Sequence, residues 1–167
     1  SLDTSVPRYH HGELSDDQWQ HRIRVLGSLA GSAGARWLTL RPFERGVAAD
    51  GARPVHHDVV ELDACTVIVD PTPDGRERLV VALRKLAESD QLSEPAVAAA
   101  LLSPAATEPD LVLLLGTSDR LPESLVWELA YAEMVYVPVA WADLREQHLA
   151  DAIEAYRHRH RRFGGLD

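Results

Sequence analysis

Residues 109–144 read "PDLVLLLGTSDRLPESLVWELAYAEMVYVPVAWADL", and this stretch decides the fold class. Between Pro109 and Gly116 the run "DLVLLLG" is apolar without alternation, the pattern of a strand buried on both faces. Residues 122–133, "PESLVWELAYAE", read as a helix. Residues 134–141, "MVYVPVAW", read as a second strand, placed near a sheet edge because Pro138 cannot donate to a ladder. Strand, helix and strand in this order form one parallel crossover unit.

The same alternation extends outward. Residues 142–163 read as a last long helix, with Leu144, Leu149, Ile153 and Tyr156 roughly on one face. Upstream, "SEPAVAAALL" begins a short helix with Ser93 as its cap and Pro95 in the first turn. "PTPDGRERLVVALRKLAES" passes from turn residues into an amphipathic helix whose apolar face is Leu79, Val80, Leu83 and Leu86 with Ala87. "VVELDACTVIV" supplies one or two strands, and residues 44–58 read as a loop without apolar period. "ARWLTLRPF" reads as a strand ended by Pro42. Before it, "DDQWQHRIRVLGSLAGSAG" is a helix capped by Asp16, with Trp19, Ile23, Leu26 and Leu29/Ala30 on one face. Residues 1–15 are an irregular arm, and 16–167 form one domain. The expected architecture is α/β, a mostly parallel central sheet flanked by helices.

Composition narrows the function. A chain of 167 residues with a formal net charge of -9 is poorly suited to bind nucleic acid or an anionic membrane surface. Cys65 is the single cysteine, so no internal disulfide exists, which fits a reducing, cytoplasmic setting. It sits in the apolar run "CTVIV" and reads as a buried small hydrophobe. No run approaches the roughly 20 apolar residues that span a bilayer, so membrane association is expected to be peripheral or through a partner. The chain starts at Ser1 rather than Met, consistent with a trimmed or engineered start.

Familiar chemical motifs are missing: no phosphate-binding Gly-Lys-Ser/Thr loop, no Gly-x-Gly-x-x-Gly, no Gly-x-Ser-x-Gly and no paired cysteines. The adjacent histidines His10-His11 and His56-His57 fall in predicted loops and read as solvated. His158 and His160 are two apart on a predicted helix and diverge. The chain ends "YRHRHRRFGGLD", a basic cluster on an acidic protein.

From Asp110 to Gly165 the chain resembles the C-terminal third of the cis-prenyltransferases, the undecaprenyl diphosphate synthase family. Asp110-Leu111-Val112, Gly116, Arg120, Trp127, Ala130-Tyr131, Glu133, Trp141, Asp143 and Arg161 to Gly165 fall in the family pattern. Upstream, Gly75-Arg76 resembles the family's Gly-Gly-Arg helix, and "ARWLTLRPF" resembles its Leu-Thr-hydrophobic-Tyr-x-Phe strand. The resemblance covers residues 64–165 well and 17–45 weakly.

The departures carry as much information. Nothing in residues 1–30 resembles the Asp-Gly-Asn-Gly-Arg loop whose aspartate helps hold magnesium and the allylic diphosphate in catalytic members. The helices that line the product tunnel should fall between Phe43 and Ala64, where this chain has only polar, loop-like sequence. The resemblance therefore implies a truncated cis-prenyltransferase-like fold without tunnel helices. In the segment matching the isopentenyl diphosphate site, the family's Arg, Thr, Glu and Ser are Leu114, Leu115, Ser118 and Pro122, and Arg120 alone remains. Prenyl transfer ionises an allylic diphosphate and needs fixed cations and magnesium at the leaving group; no catalytic residue is expected within this chain alone.

This pattern of loss resembles the non-catalytic, Nogo-B receptor-type subunits of heteromeric cis-prenyltransferases. That resemblance implies a heterodimer with a full-length catalytic homologue, with Mg2+ held there by the partner's aspartate. It also implies that Arg162, Phe163 and Gly164, with Gly165, reach across to bind prenyl diphosphate in the partner's site. The chemistry is apt, because a diphosphate takes bidentate guanidinium donors and closely approaching backbone N–H groups. The resemblance also assigns a magnesium role near the dimer interface to Glu133, and Trp127, Tyr131 and Trp141 are core or interface aromatics. Arg157, Arg159 and Arg161 read as a solvated helix end favoured by the helix dipole. Two alternatives stay open: a stand-alone enzyme acting on prenyl diphosphates, and a homodimer that binds them without chemistry.

Overall fold

The computed structural model describes residues 15–41, 43–44, 47–48, 57–70, 72, 74–116 and 121–163. Helix α1 spans Asp16–Ser32. It is capped not by Asp16, as expected, but by Ser15, whose hydroxyl accepts from Gln18 N while the Gln18 side chain accepts from Ser15 N. This reciprocal box satisfies two orphan donors, and Asp16 and Asp17 then complement the dipole from the first turn. The predicted apolar face holds: Trp19, Ile23, Leu26 and Ala30 are buried. Gly27 lies where α1 crosses close to strand β5 (Thr66–Val69), and a Cβ there would overlap Val67 and Leu62.

Strand β1 (Trp37–Leu40) pairs in parallel with β5. Residues 44–58, expected as a loop, contain structure: β2 (Phe43–Glu44) pairs antiparallel with β3 (Val47–Ala48), and Asp58 opens β4 (Asp58–Glu61). Strand β4 returns antiparallel against β5, with Val59 opposite Ile68. The β1–β5 ladder is parallel as expected, and β4 is the antiparallel strand at its edge, because a short β4–β5 connection permits only antiparallel pairing. Helix α2 (Gly75–Glu88) is capped by Asp74, and α3 (Glu94–Leu102) by Ser93 as predicted. The inward stripe of α2 is Gly75, Arg78, Leu79, Ala82, Leu83 and Leu86; Val80, expected on it, is exposed.

Strand β6 (Leu111–Leu115) runs parallel to β7 (Glu133–Val137), with Leu111 opposite Glu133 and Leu115 opposite Val137. Strand β7 stops before Pro138, in keeping with the missing donor. Strand β6 is less enclosed than its sequence suggests: only Leu114 is buried, and among the described residues its ladder partner is β7 alone. A 3-10 turn at Trp141–Asp143 leads to α4 (Glu146–Phe163). Helices α1 and α4 pack side by side, α1 on β1 and β5, α4 on β6 and β7. One core joins them, built on Trp19, Ile23, Leu26, Leu40, Val67, Val69, Trp141, Leu144 and Leu149. Trp19 and Trp141 meet at 5.7 Å between ring centroids, tilted by 49°, a geometry that adds to area burial.

The helix expected over 122–133 does not form; residues 121–132 cross from β6 to β7 as successive turns. The cause is a buried ionic cluster. Arg41, just past β1, donates from Nη1 to Glu128 Oε1 (2.6 Å) and to the Ser124 carbonyl (3.0 Å), and its Nη2 lies 3.3 Å from Asp70 Oδ2. Arg78 on α2 donates from Nη2 to the same Glu128 oxygen (2.8 Å) and the same carbonyl (2.9 Å), with Nη1 3.5 Å from Asp70 Oδ2. Glu128 Oε2 accepts from Val126 N (3.3 Å), and Gly75 N donates to the Glu123 carbonyl (2.9 Å). Backbone groups that a helix would pair internally are thus taken by arginines, a carboxylate and the start of α2.

Burial opposes ionisation of Glu128, but the Arg41 charge and the Arg78 hydrogen bond outweigh it and hold the carboxyl below its usual range. A depressed carboxylate contributes stability above its unfolded pKa, and that contribution is lost as pH falls through the folded value. Glu128→Gln strips the charge from a buried pair and is expected to cost about 3–5 kcal/mol in urea denaturation at pH 7. The variant should also lose part of the wild-type decline in stability below about pH 4; an unchanged acid profile would contradict the assignment. At Gly75, a Cβ would stand 2.8 Å from the Ser124 carbonyl oxygen and 2.8 Å from Val126 Cγ2. Gly→Ala in a helix is ordinarily stabilising by up to ~1 kcal/mol. Here Gly75→Ala should instead lower stability by about 1–3 kcal/mol, and a rise in melting temperature would refute the close contact.

Candidate functional site

The molecule has two chemically distinct ends. At the carboxyl ends of β1 and β5, where open α/β sheets commonly bind ligands, stand Arg41 and Asp70, with Arg78 entering from α2. Two guanidinium groups face two carboxylates, so the cluster is balanced in charge and each cation is engaged within the chain. Asp70 Oδ1 also accepts from Thr72 N (2.9 Å), and Arg78 Nη1 reaches the Leu101 carbonyl (3.5 Å). Such an arrangement fixes neighbouring backbone; it does not present free positive charge to an anion. None of these four residues is among the sequence-predicted site residues. Their signal was faint, since each is a single charge beside or within an apolar stretch or among other charges, and their partners are remote in sequence.

Strand β6 delivers its own carboxyl end to the same side. Gly116 follows it at φ +94, a left-handed conformation suited to glycine, and Gly116 N donates to the Val137 carbonyl (3.0 Å). Arg120 lies outside the described residues. Leu114, at the position where the resemblance calls for an arginine, is 4% exposed and packed inside the domain. Leu115 is half-buried and packs against the shared core.

The opposite end, at the amino termini of the strands, holds the last turns of α4. Helix α4 runs antiparallel to β6 and β7, so its last turns arrive beside Glu133, the first residue of β7. Arg159 Nη1 donates to Glu133 Oε1 at 2.8 Å, and Arg157 Nη2 donates to the carbonyl of Ala33, the C-cap of α1, at 2.8 Å. These two arginines stay exposed, as expected of a solvated helix end, and each also reaches one group of the domain. Nearby, burial raises the Tyr156 phenol pKa, and the Asp110 and Glu133 carboxylates add to the shift. Arg162 and Phe163 end α4 in the backbone; their side chains, with Gly164 and Gly165, lie outside the described residues.

The structure separates the three predicted aromatics. Trp141, 7% exposed, belongs to the chain's own core. Trp127 is half-buried and donates from Nε1 to Glu108 Oε1 (2.8 Å). Tyr131 stands 84% exposed. Cys65 is buried as expected, and burial pushes its thiol pKa up, which suppresses the reactive thiolate. Among the described residues no three His, Cys, Asp or Glu side chains converge as a metal site. Among them, too, no helix is long and apolar enough to cross a membrane.

Comparison with known proteins agrees with the resemblance noted above. A family model described as "Putative undecaprenyl diphosphate synthase" matches residues 57–164. The chain is 32% identical over 100 residues to an isoprenyl transferase of Geobacillus kaustophilus, covering 55% of this chain and 39% of that protein. It is 26% identical over 167 residues to a ditrans,polycis-undecaprenyl-diphosphate synthase ((2E,6E)-farnesyl-diphosphate specific) of Pasteurella multocida, covering 100% of this chain and 65% of that protein. It also matches the crystal structure of a probable undecaprenyl diphosphate synthase from Campylobacter jejuni at 19% identity and a TM-score of 0.49, covering 89% and 74% of the two chains. The chain thus spans between about two fifths and two thirds of the length of these two relatives. With the family model matching well over half its residues, this chain belongs to the undecaprenyl diphosphate synthase family, the cis-prenyltransferases.

Proposed function

We propose that the chain is a non-catalytic accessory subunit of a heterodimeric cis-prenyltransferase that makes polyprenyl diphosphates. In this reading it stabilises a full-length catalytic homologue and contributes its C-terminal Arg-x-Gly tail to that partner's isopentenyl diphosphate site. The observation that carries the proposal is Leu114: at the carboxyl end of β6 a buried leucine stands where a diphosphate-binding arginine is called for. Beside it, the cations Arg41 and Arg78 are neutralised by Asp70 and Glu128. A diphosphate developing charge in a transition state needs preorganised cations that are free to meet it.

The position of the end of α4 supports action in trans. Helix α4 releases Arg162 beside the amino-terminal edge of β7. The carboxyl end of β6 is a full strand away, about 13–17 Å at ~3.3 Å per residue. Arg162, Phe163, Gly164 and Gly165 are thus suited to a neighbouring subunit's pocket, with Tyr131 and Trp127 offered to the interface. Arg120 would add a cation from the loop after Gly116. Magnesium would be bound with the partner's aspartate and would neutralise the substrate diphosphate. Glu133, with Arg159 at 2.8 Å, does not by itself fit a magnesium ligand set, so no step is assigned to it.

A second reading is favoured by one finding: the Pasteurella multocida relative, named as a synthase, matches the entire chain. The chain would then be a stand-alone enzyme acting on prenyl diphosphates; a homodimer that binds them without turnover is the remaining alternative. One experiment separates the three. The chain, a full-length homologue carrying the aspartate loop, and their co-purified complex are each assayed with labelled isopentenyl diphosphate, an allylic diphosphate and Mg2+. The accessory reading expects no product from the chain alone and product from the complex. Arg162→Ala or removal of 163–167 should then lower turnover by about tenfold to a hundredfold. Product from the isolated chain would establish the stand-alone reading. Tight diphosphate binding without complex formation or product would establish the third.

A further inference from the structure

The last two turns of α4 are tied to the body of the domain at a place where charge and geometry agree. Glu133 opens β7, and its N–H donates to the Asp110 carbonyl at 2.9 Å, so two acidic residues are neighbours in the backbone at the amino-terminal edge of the β6–β7 pair. Tyr156 and Arg159 lie one turn apart on the same stripe of α4. Tyr156 feels both carboxylates, and Arg159 closes on Glu133 at 2.8 Å. Arg157 sits on the adjoining stripe and bonds the last-turn backbone of α1 at Ala33. Glu133 is 25% exposed and Arg159 57%, so the pair is partly sheltered on the carboxylate side. The negative end of the α4 dipole favours both arginines in place.

We infer that Glu133, Arg159 and Arg157 are positioning residues for the tail. Together they hold the end of α4 against β7 and α1, and so fix the helix end from which the C-terminal residues continue. Glu133 acts through Arg159, not as a metal ligand. The inference rests on the proposed role of the tail in a partner's diphosphate site, and it deepens that role by naming what aims the tail. A flexible tail would have to be ordered on every binding event; a tail launched from a fixed helix end loses less conformational freedom on engaging its target.

The test is a charge exchange with two readouts. Glu133→Gln and Arg159→Gln break the pair mildly. Glu133→Arg with Arg159→Glu reverses it while keeping both charges. In the isolated chain, amide hydrogen exchange across residues 157–163 should accelerate about two- to fivefold in each Gln variant, the scale of a partly exposed ion pair, and return toward wild type in the reversed pair. In the active complex, KM for isopentenyl diphosphate should rise in the Gln variants and recover in the reversed pair. The magnesium concentration for half-maximal rate should stay unchanged throughout. Unchanged exchange in the Gln variants overturns the inference. So does a reversed pair that fails to recover KM while the magnesium requirement climbs severalfold, the signature of a lost metal ligand. If no complex with a catalytic homologue exists, the accessory reading falls, and the exchange measurement alone decides whether the anchor is real.

Discussion

The arrangement of this domain depends on four buried charges. Arg41 and Arg78 share Glu128 Oε1 and the Ser124 carbonyl, and both approach Asp70. Each charge comes from a different element: the end of β1, the end of β5, the first turn of α2 and the crossover between β6 and β7. Removing charges from water is expensive, and only close pairing with further hydrogen bonds offsets it. The cluster forms only when all four elements are in place, and even then Arg41 Nε and Arg78 Nε are buried without a hydrogen-bond partner. It thereby fixes where the crossover runs and, through it, where β7 begins. Among the described residues no ladder joins the β4–β5–β1 sheet to the β6–β7 pair, so side chains must set that relation. The ionic cluster does this at the strand ends, and the α1–α4 core does it across the helical face.

The same arrangement gives the two ends different chemistry. At the carboxyl ends of β1 and β5 the cations are consumed by the chain's own carboxylates, and Leu114 turns the end of β6 into core. At the amino ends, Glu133 and Ala33 receive Arg159 and Arg157 near the end of α4. A domain of a diphosphate-handling family has thus spent its internal arginines on structure. Its C-terminal Arg157 and Arg159 instead engage Ala33 and Glu133 at the other end. Trp141, from its sequence equally suited to an interface, went to the core because the 3-10 turn after β7 aims it at Trp19.

Much was legible without coordinates. The helical period of Trp19, Ile23, Leu26 and Ala30, the Ser93 cap, the parallel pairing of β6 with β7 and the stop before Pro138 all followed from local patterns whose physics is local. The family was legible from the order of residues over Asp110 to Gly165. The crossover was not. Residues 122–133 carry helical spacing, yet in the fold Glu128 and the Ser124 carbonyl are taken by two guanidinium groups from other elements. Nor could spacing show that Val80 faces out, because the phase of α2 is set by where Gly75 must press against Ser124.

Sequence by itself determined most helices and strands, most of their apolar faces and the family, since these depend on side-chain period, capping and residue order along the chain. Tertiary structure alone decided the partners of the charges. It showed that Arg41 and Arg78 are committed inside, that Arg159 belongs to Glu133 and that Leu114 is core. An ion pair forms between residues brought together by the fold, 26 positions apart for Arg159 and Glu133 and 50 for Arg78 and Glu128. Nothing in either local sequence records the other.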